Sequence, residues 1–412
     1  MLKNYFKIAI AVLKRRKFFT FISLFGISLT LTILMSLTSL YDFFADPGYP
    51  DTKRARTLYI PRIMLTNPEK GWTNSGPMSY YFYKTYISKL ATPEFAVMTT
   101  EGGTFNTYLG TKKVAIAVKH TNADFFRAFD FDFLEGKAYG QQQVDNSEKV
   151  AVISQGLKER YFGDISNVVG KDIHADSDKF RVIGVVKDAP GSDRYTSGDM
   201  YLPFTVGKSD LTGTRLHGGY LMTLVARSEA EVPAMQREFQ AMASKLKGDG
   251  DMSQVDVHAD PYMVSFTRGI MRTKAGGDGY LKFMIIIYSG LFLFMLLPTL
   301  NLVNVNASRI MERSSEIGVR KAFGASSNVL AIQFVIENLI LTLIGGLIGL
   351  LFSWIAITIF NTNGFIPNAD LTLNLKVLFI SLLMCLVFGL LSGVYPAWRM
   401  SRLQVVRALK AV

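Results

Sequence analysis

The stretch "ERSSEIGVRKAFGASSNVLAIQFVIENLILTLIGGLIGL" runs from Glu312 to Leu350. Its first ten residues carry five charges, on Glu312, Arg313, Glu316, Arg320 and Lys321. The chain then turns apolar from 329 to 360, with Glu337 near the start of that run. About 20 apolar residues cross the ~30 Å of hydrocarbon in a bilayer, so the change from charged to apolar sequence reads as a membrane boundary.

Three further apolar stretches, 18–41, 281–305 and 377–396, meet the same length requirement. Overall, 49% of the 412 residues are hydrophobic and only 19% are charged, too apolar for an ordinary soluble domain of this size. The first apolar run is longer than a signal-peptide core, and no A-x-A site follows it, so it is expected to stay as an anchor.

The formal net charge is +12, and its location is informative. Residues 1–41 hold six Lys/Arg and no acid; residues 42–280 hold 29 of each sign; the remainder holds ten Lys/Arg and four acids. The excess therefore lies entirely beside the apolar stretches. Lys14, Arg15, Arg16 and Lys17 precede the first span, Arg309, Arg313, Arg320 and Lys321 lie between the second and third, and Arg399, Arg402, Arg407 and Lys410 follow the fourth. The loop 361–376 carries only Asp370 and, at its end, Lys376. Cytoplasmic loops accumulate Lys/Arg. The predicted topology places both termini and the 306–328 loop inside, and 42–280 and 361–376 outside. Residues 1–17, with Tyr5, Ile8, Ala9 and Val12 on one helical face and Lys3, Lys7 and Lys14 as cations, read as an interfacial amphipathic helix. Residues 397–412 form a cytoplasmic tail. A basic excess confined to membrane flanks suits an anionic inner leaflet rather than nucleic acid.

Residues 42–280 are long enough for their own core, and Cys385, in the fourth span, is the one cysteine, so no disulfide forms within a chain. Strand patterns recur at 56–60, 94–100, 113–120, 149–154, 180–188, 220–227 and 254–260, with helix patterns at 79–90, 156–163 and 229–247. The β-α-β orders of 54–120 and 218–260 are alike, which predicts two lobes, the second (about 125–215) inserted in the first. The expected fold class is an α-helical membrane protein with four transmembrane helices and a large mixed α+β extracytoplasmic domain of two lobes.

Catalytic patterns are missing from the sequence. There is no G-x-x-x-x-G-K-[ST] phosphate loop and no G-x-S-x-G elbow, and His120, His174, His217 and His258 are scattered. "DIHADSD" (172–178) lacks the glycine and glutamate of a calcium loop and reads as a solvated hairpin tip. Neither a metal nor a cofactor is expected on this chain, and no enzymatic activity of its own. Gly345-x-x-x-Gly349 and Gly389-x-x-x-Gly393 are patterns that let helices approach closely, within one subunit or between two. On a helix, Glu316 and Arg320 form a favourable acid-first pair, Arg309–Glu312 and Arg313–Glu316 lie three apart, and Val319 and Phe323 share an apolar face. Glu337, flanked by Gln333 and Asn338, is expected at a solvated interface.

The 312–350 stretch resembles the cytoplasmic loop and third span of FtsX/MacB-type ABC transporter permeases, through Glu312-Arg313, Glu316-Ile317-Gly318, Arg320, Ala322, Gly324-Ala325, Glu337 and the glycines at 345, 346 and 349. "KVAVISQGLKERYFGDISNVVGKDIHADSDKFRVIGVVKD" (149–188) is similar to the middle of the MacB-like periplasmic core domain. "YPAWRMSRLQVVRALK" (395–410) resembles the family's C-terminal signature, departing from it at Gln404-Val405. The resemblance implies a non-catalytic, multi-pass subunit of the bacterial inner membrane. It would pair with a second permease, as homodimer or heterodimer, and with an ABC ATPase that uses ATP and Mg, a periplasmic adaptor being a further partner. Arg309, Glu312, Arg313, Glu316, Val319, Arg320, Lys321 and Phe323 would couple to the ATPase. The implied role is mechanotransmission to the outer domain for export or extraction of a drug, peptide or lipoprotein. The alternative is regulation of a cell-wall hydrolase.

Overall fold

The computed structural model describes residues 17–45, 48–109, 112–271, 279–293 and 327–366, with isolated positions elsewhere. The chain divides into two compact units: Met1–Phe44, Met284–Phe365 and Asp370–Val412 form one, Ala45–Phe283 and Ile366–Ala369 the other.

In the first unit, α1 (Lys17–Ala45) and α9 (Ser327–Thr362) are the two described helices long and apolar enough to cross a membrane. A shorter apolar helix, α8 (Gly279–Leu293), covers the beginning of the predicted second span; 294–305 and most of 377–396 lie outside the described residues. Several hydroxyls along α1 donate to carbonyls of the preceding turn, as an apolar solvent favours. Ser23 Oγ donates to the Phe19 carbonyl at 2.9 Å, Thr30 Oγ1 to Gly26 at 2.8 Å and Thr32 Oγ1 to Ser28 at 2.7 Å. One face of α1 is exposed (Phe18, Phe21, Phe25, Leu29, Leu37), while Ile27, Leu31 and Met35 are buried.

The second unit is built on a ten-stranded mixed sheet. Its strands are β1 (Thr57–Ile60), β4 (Phe95–Thr100), β5 (Gly103–Leu109), β6 (Lys112–Thr121), β7 (Phe133–Gly136), β8 (Val150–Ser154), β9 (Asp172–Ala175), β10 (Asp178–Val186), β11 (Met200–Pro203) and β12 (Tyr220–Val225). The order is β1-β12-β4-β6-β11-β8-β10-β7, with β5 added on β6 and β9 on β10. A second sheet, β13-β2-β3, joins β2 (Ile63–Thr66), β3 (Thr73–Gly76) and β13 (Gln254–Val257). Helices α2 (Tyr80–Thr85), α3 (Phe125–Ala128), α4 (Gln141–Asp145), α5 (Gln155–Phe162), α6 (Val232–Ala243) and α7 (Tyr262–Met271) complete the unit.

Local sequence explains most of these elements. β8 (VAVIS) and β12 (YLMTLV) are apolar without alternation and are buried at every position, as strands covered on both faces must be. α5 begins where Ser154 Oγ accepts from the Leu157 amide and ends at Gly163, whose φ of 71° suits a residue without Cβ. Gly136 is required for a second reason: at φ 64°, an added Cβ would lie 2.1 Å from the Ile183 carbonyl oxygen. The 172–178 stretch is a β9–β10 hairpin with Asp176 at φ 50° in its turn.

The segment 125–215 does not carry a sheet of its own. Its strands β7 to β11 continue the sheet begun by β1, β12, β4 and β6, through the parallel pairing of β11 with β6 (Met200 opposite Val118). One face shares a single core along its length, from Tyr59 and Val225 to Val152 and Val186. The other face has two cores. One surrounds Leu58, Phe82, Met222, Met235 and Phe239; the other surrounds Ile116, Ile153, Leu157, Phe180 and Val182. Two lobes are visible only on that second face.

Candidate functional site

Two arrangements bring chemistry-bearing or close-packed residues together: a glycine seam between α1 and α9, and a buried polar cluster at the root of the α+β unit.

At the seam, a Cβ on Gly345 would lie 2.8 Å from Ile27 Cγ2, and one on Gly349 2.8 Å from Leu31 Cβ and 3.0 Å from the Ser28 carbonyl oxygen. At these two glycines α1 packs close against the backbone of α9. Thr32 Oγ1 also donates to the Gly349 carbonyl at 3.3 Å. Contact numbers rise together (27 with 345, 31 with 349), so the two helices run parallel. The seam lies within one chain. Glu337 and Asn338, on α9, are both 7% exposed, so the solvated position expected for Glu337 is replaced by a buried one. Gly389 and Gly393 lie outside the described residues, as do Arg309, Glu312, Arg313, Glu316, Arg320, Lys321 and Phe323; Val319 is helical and exposed.

The root cluster forms where the chain has just left α1. Asp51 is 1% exposed. Its Oδ2 accepts from Arg54 Nε at 2.9 Å and from the Tyr59 hydroxyl, while its Oδ1 is buried without a hydrogen-bond partner. The Arg54 guanidinium stacks 4.0 Å over the Tyr262 ring of α7. The Tyr59 ring meets Tyr195 at 4.9 Å and Tyr262 at 5.2 Å, edge to face. The Tyr59 amide donates to the Asp260 carbonyl at 2.8 Å, and Asp260 Oδ2 accepts from Arg268 Nε at 2.7 Å. Asp193, also buried, accepts from the Tyr195 amide at 2.8 Å. From β6, Lys119 is 2% exposed, and its Nζ donates to the Arg194 carbonyl at 2.7 Å and the Thr100 carbonyl at 3.0 Å.

Electrostatics follow from this burial. Loss of water pushes the Asp51 carboxyl up to about 6, reinforced by the nearby Asp193 charge and opposed by Arg54. Burial pulls the Lys119 ammonium down to about 8, against the attraction of Asp193. The Tyr59 hydroxyl is held well above its usual range by burial and then by Asp51. Breaking one partner of such a set leaves a desolvated charge, which typically costs ~3–5 kcal/mol.

The sequence reading passed over this cluster. Lys119 falls on the face of β6 opposite Val114, Ile116 and Val118, where the alternation expects a solvated side chain, so its burial carried no sequence signal. Asp51 and Asp193 lie in turns and carried no pattern. Among the described residues, no group of three or more His, Cys, Asp or Glu side chains is placed to hold a metal ion.

The chain thus combines two helices long and apolar enough to cross a membrane with a separately cored α+β unit. Residues 20–242 match the MacB-like periplasmic core domain and residues 288–405 the FtsX-like permease C-terminal domain. The chain belongs to the MacB/FtsX-like family of ABC transporter permeases. It is similar to the macrolide export ATP-binding/permease protein MacB of Escherichia coli (strain K12) and that of Shigella flexneri. Each is 24% identical over 299 residues, covering 72% of this chain and 43% of the relative. The chain thus spans less than half the length of these curated relatives. Among solved structures, the periplasmic region of MacB from Actinobacillus actinomycetemcomitans matches at 17% identity and a TM-score of 0.36, covering 53% of this chain and 94% of that one. The extracellular domain of the noncanonic ABC-type transporter YknZ from Gram-positive bacteria matches at 14% and 0.35, covering 48% and 99%.

Proposed function

We propose that this chain is the non-catalytic permease subunit of a MacB/FtsX-type ABC transporter. It converts ATP-driven movement at the cytoplasmic face into movement of the α+β domain on the other side of the membrane, for export or extraction of a drug, peptide or lipoprotein. The observation that carries this reading is the joining, in one chain, of a glycine-sealed parallel helix pair to an α+β unit with its own cores and a polar root. Parallel α1 and α9 agree with the charge-derived topology, in which spans one and three both run outward. The phosphate loop absent from this sequence would be supplied by a separate ATPase, with its ATP and Mg, and a second permease copy or homologue would complete the membrane assembly. The same charges would put both termini on the cytoplasmic side, and a bacterial inner-membrane location is what kinship with this family implies.

In this reading Arg313, Val319 and Phe323 face the ATPase, and the Glu316–Arg320 pair stiffens the helix that presents them. That pair contributes only ~0.2–0.5 kcal/mol, whereas a few buried apolar anchors carry most of the energy of a docking face. Phe323→Ala should therefore reduce co-purification of ATPase activity with the chain at least tenfold, with membrane insertion unchanged, and Glu316→Gln should have a milder effect. Equal ATPase recruitment by Phe323→Ala and the unmodified chain, at matched expression, would remove the docking assignment.

A further inference from the structure

We propose that residues 49–57 are a strap that ties the two ends of the ten-stranded sheet together across their shared core, fastened at the β7–β10 end by Tyr49 and Asp130. The strap itself does not depend on the transport reading.

Sheet order and sequence order meet in this segment. β1, which begins at Thr57, is the first strand of the sheet path, and β10 and β7 are the last two. From β1 to β10 is six strand-to-strand steps, about 29 Å along the sheet at the usual spacing. Yet Tyr49 and Thr57, at those two ends, are eight residues apart, and Arg54–Arg56 between them is coiled into a 3-10 turn. So short a segment meets both ends because the sheet curls over one core, which includes Tyr59 of β1 and Val186 of β10.

At the β7–β10 end the Tyr49 hydroxyl sits on the last rung of the ladder. It donates to the Lys187 carbonyl at 2.9 Å and accepts from the Asp132 amide at 3.2 Å, while the Lys187 amide donates to the Asp132 carbonyl at 3.0 Å. The Tyr49 ring meets Phe131 edge to face at 6.0 Å, and the Lys187 ammonium lies 5.2 Å above it. The Asp130 amide donates to the Pro50 carbonyl at 2.8 Å. Both Asp130 carboxylate oxygens are also taken, Oδ2 by the Thr52 hydroxyl and Oδ1 by the Lys53 ammonium, which donates as well to the Arg127 carbonyl at 3.2 Å. At the β1 end, the Asp51 carboxylate accepts from Arg54 and from the Tyr59 hydroxyl, and Thr57 Oγ1 donates to the Lys53 carbonyl at 2.8 Å.

Asp130 is 48% exposed, so its ion pair with Lys53 alone would hold little. The fastening is the row of bonds from Tyr49 to Lys53, all made to residues 127–132 and 187 and none to a sequence neighbour. The strap begins four residues after Ala45, the last residue of α1. It is therefore the first part of the α+β unit that a movement of α1 meets, and slackening it lets the sheet uncurl; this last step rests on the transport reading.

The test uses the full-length chain in detergent micelles, with Cys385→Ala. Spin labels attached through Leu134→Cys, exposed on β7, and Ser228→Cys, exposed just beyond β12, report the separation of the sheet ends by double electron–electron resonance. The chain with an intact strap should give one narrow distance. Asp130→Ala removes the acceptor of Thr52 and Lys53, and should broaden that distance and move it outward. Tyr49→Phe, which removes the two hydroxyl bonds and keeps the ring against Phe131, should do the same, and it carries the test if Asp130→Ala fails to fold. Glu238→Ala, which removes bonds to the Ala91 and Thr92 amides, controls for general loss of stability and should leave the distance unchanged. An unchanged distance in both strap variants overturns the proposal, and so does equal broadening in Glu238→Ala. Neither result bears on ATPase recruitment through Phe323, so failure of the strap and failure of the transport reading are told apart.

Discussion

Replacing Gly349 with alanine is expected to weaken the α1–α9 pair even though alanine is the better helix former. The new Cβ would sit 2.8 Å from Leu31 Cβ and 3.0 Å from the Ser28 carbonyl oxygen. Neither atom can swing away, because one is fixed to its backbone and the other is backbone. The helices would have to part by roughly 0.5–1 Å, loosening the Thr32 bond to the Gly349 carbonyl. Overpacking of this kind costs about 1–3 kcal/mol, against about 0.8–1 kcal/mol gained in helix propensity. The net expectation is a loss of up to about 2 kcal/mol. Gly345→Ala should behave similarly, since it meets Ile27 Cγ2 and Cβ at 2.8 and 2.9 Å, and a β-branched side chain on a helix has one preferred rotamer. Gly290, on α8, supplies the control: nothing lies within 4 Å of its added Cβ, so Gly290→Ala should be neutral or slightly stabilising. Thermal unfolding of the full chain in detergent, read by the loss of helical signal, compares the three. Leu31→Ala should not rescue Gly349→Ala, because the clashing Cβ remains. A Gly349→Ala protein as stable as Gly290→Ala would refute the seam.

Two further predictions concern topology and the α+β unit. Single cysteines at Asn106 and Ser314, in a Cys385→Ala background, should differ in labelling by an impermeant thiol reagent on intact cells; modification at position 314 there would exclude the charge-derived topology. Glu238 accepts from the Ala91 amide at 2.7 Å and the Thr92 amide at 2.9 Å, so Glu238→Ala should cost about 1–2 kcal/mol in urea unfolding. Burial raises its carboxyl, but the bonds from Thr92 and Ala91 outweigh this and leave it below its usual value. Its stabilisation is therefore present above the unfolded value and lost as pH falls through the folded one. A Glu238→Ala protein that keeps the acid-side slope of the unmodified chain would contradict this assignment.

Much of the architecture could be read without coordinates. Strands such as 95–100, 150–154 and 220–225 are short apolar runs bounded by turn residues, a local pattern legible in the sequence itself. The short strands β3 (TNSG) and β7 (FLEG) have no such pattern; they pair because a neighbouring edge offers its backbone.

Membrane character, charge asymmetry and family were therefore determined by the sequence, because burial in lipid and retention of cations at the inner surface act on composition over tens of residues. Sequence spacing also marked Gly345 and Gly349 as a place of close approach, but only the tertiary structure decided that the facing helix is α1 of the same chain. The continuity of the ten-stranded sheet across 125–215 depends on β11 finding β6, a pairing about eighty residues apart that no local pattern specifies. The root cluster is non-local in the same way. Asp51, Lys119 and Asp193 are ordinary charged residues of a polar segment until folding removes water from all three together, and desolvation, which depends on every neighbour at once, then moves the proton affinities of Asp51 and Lys119.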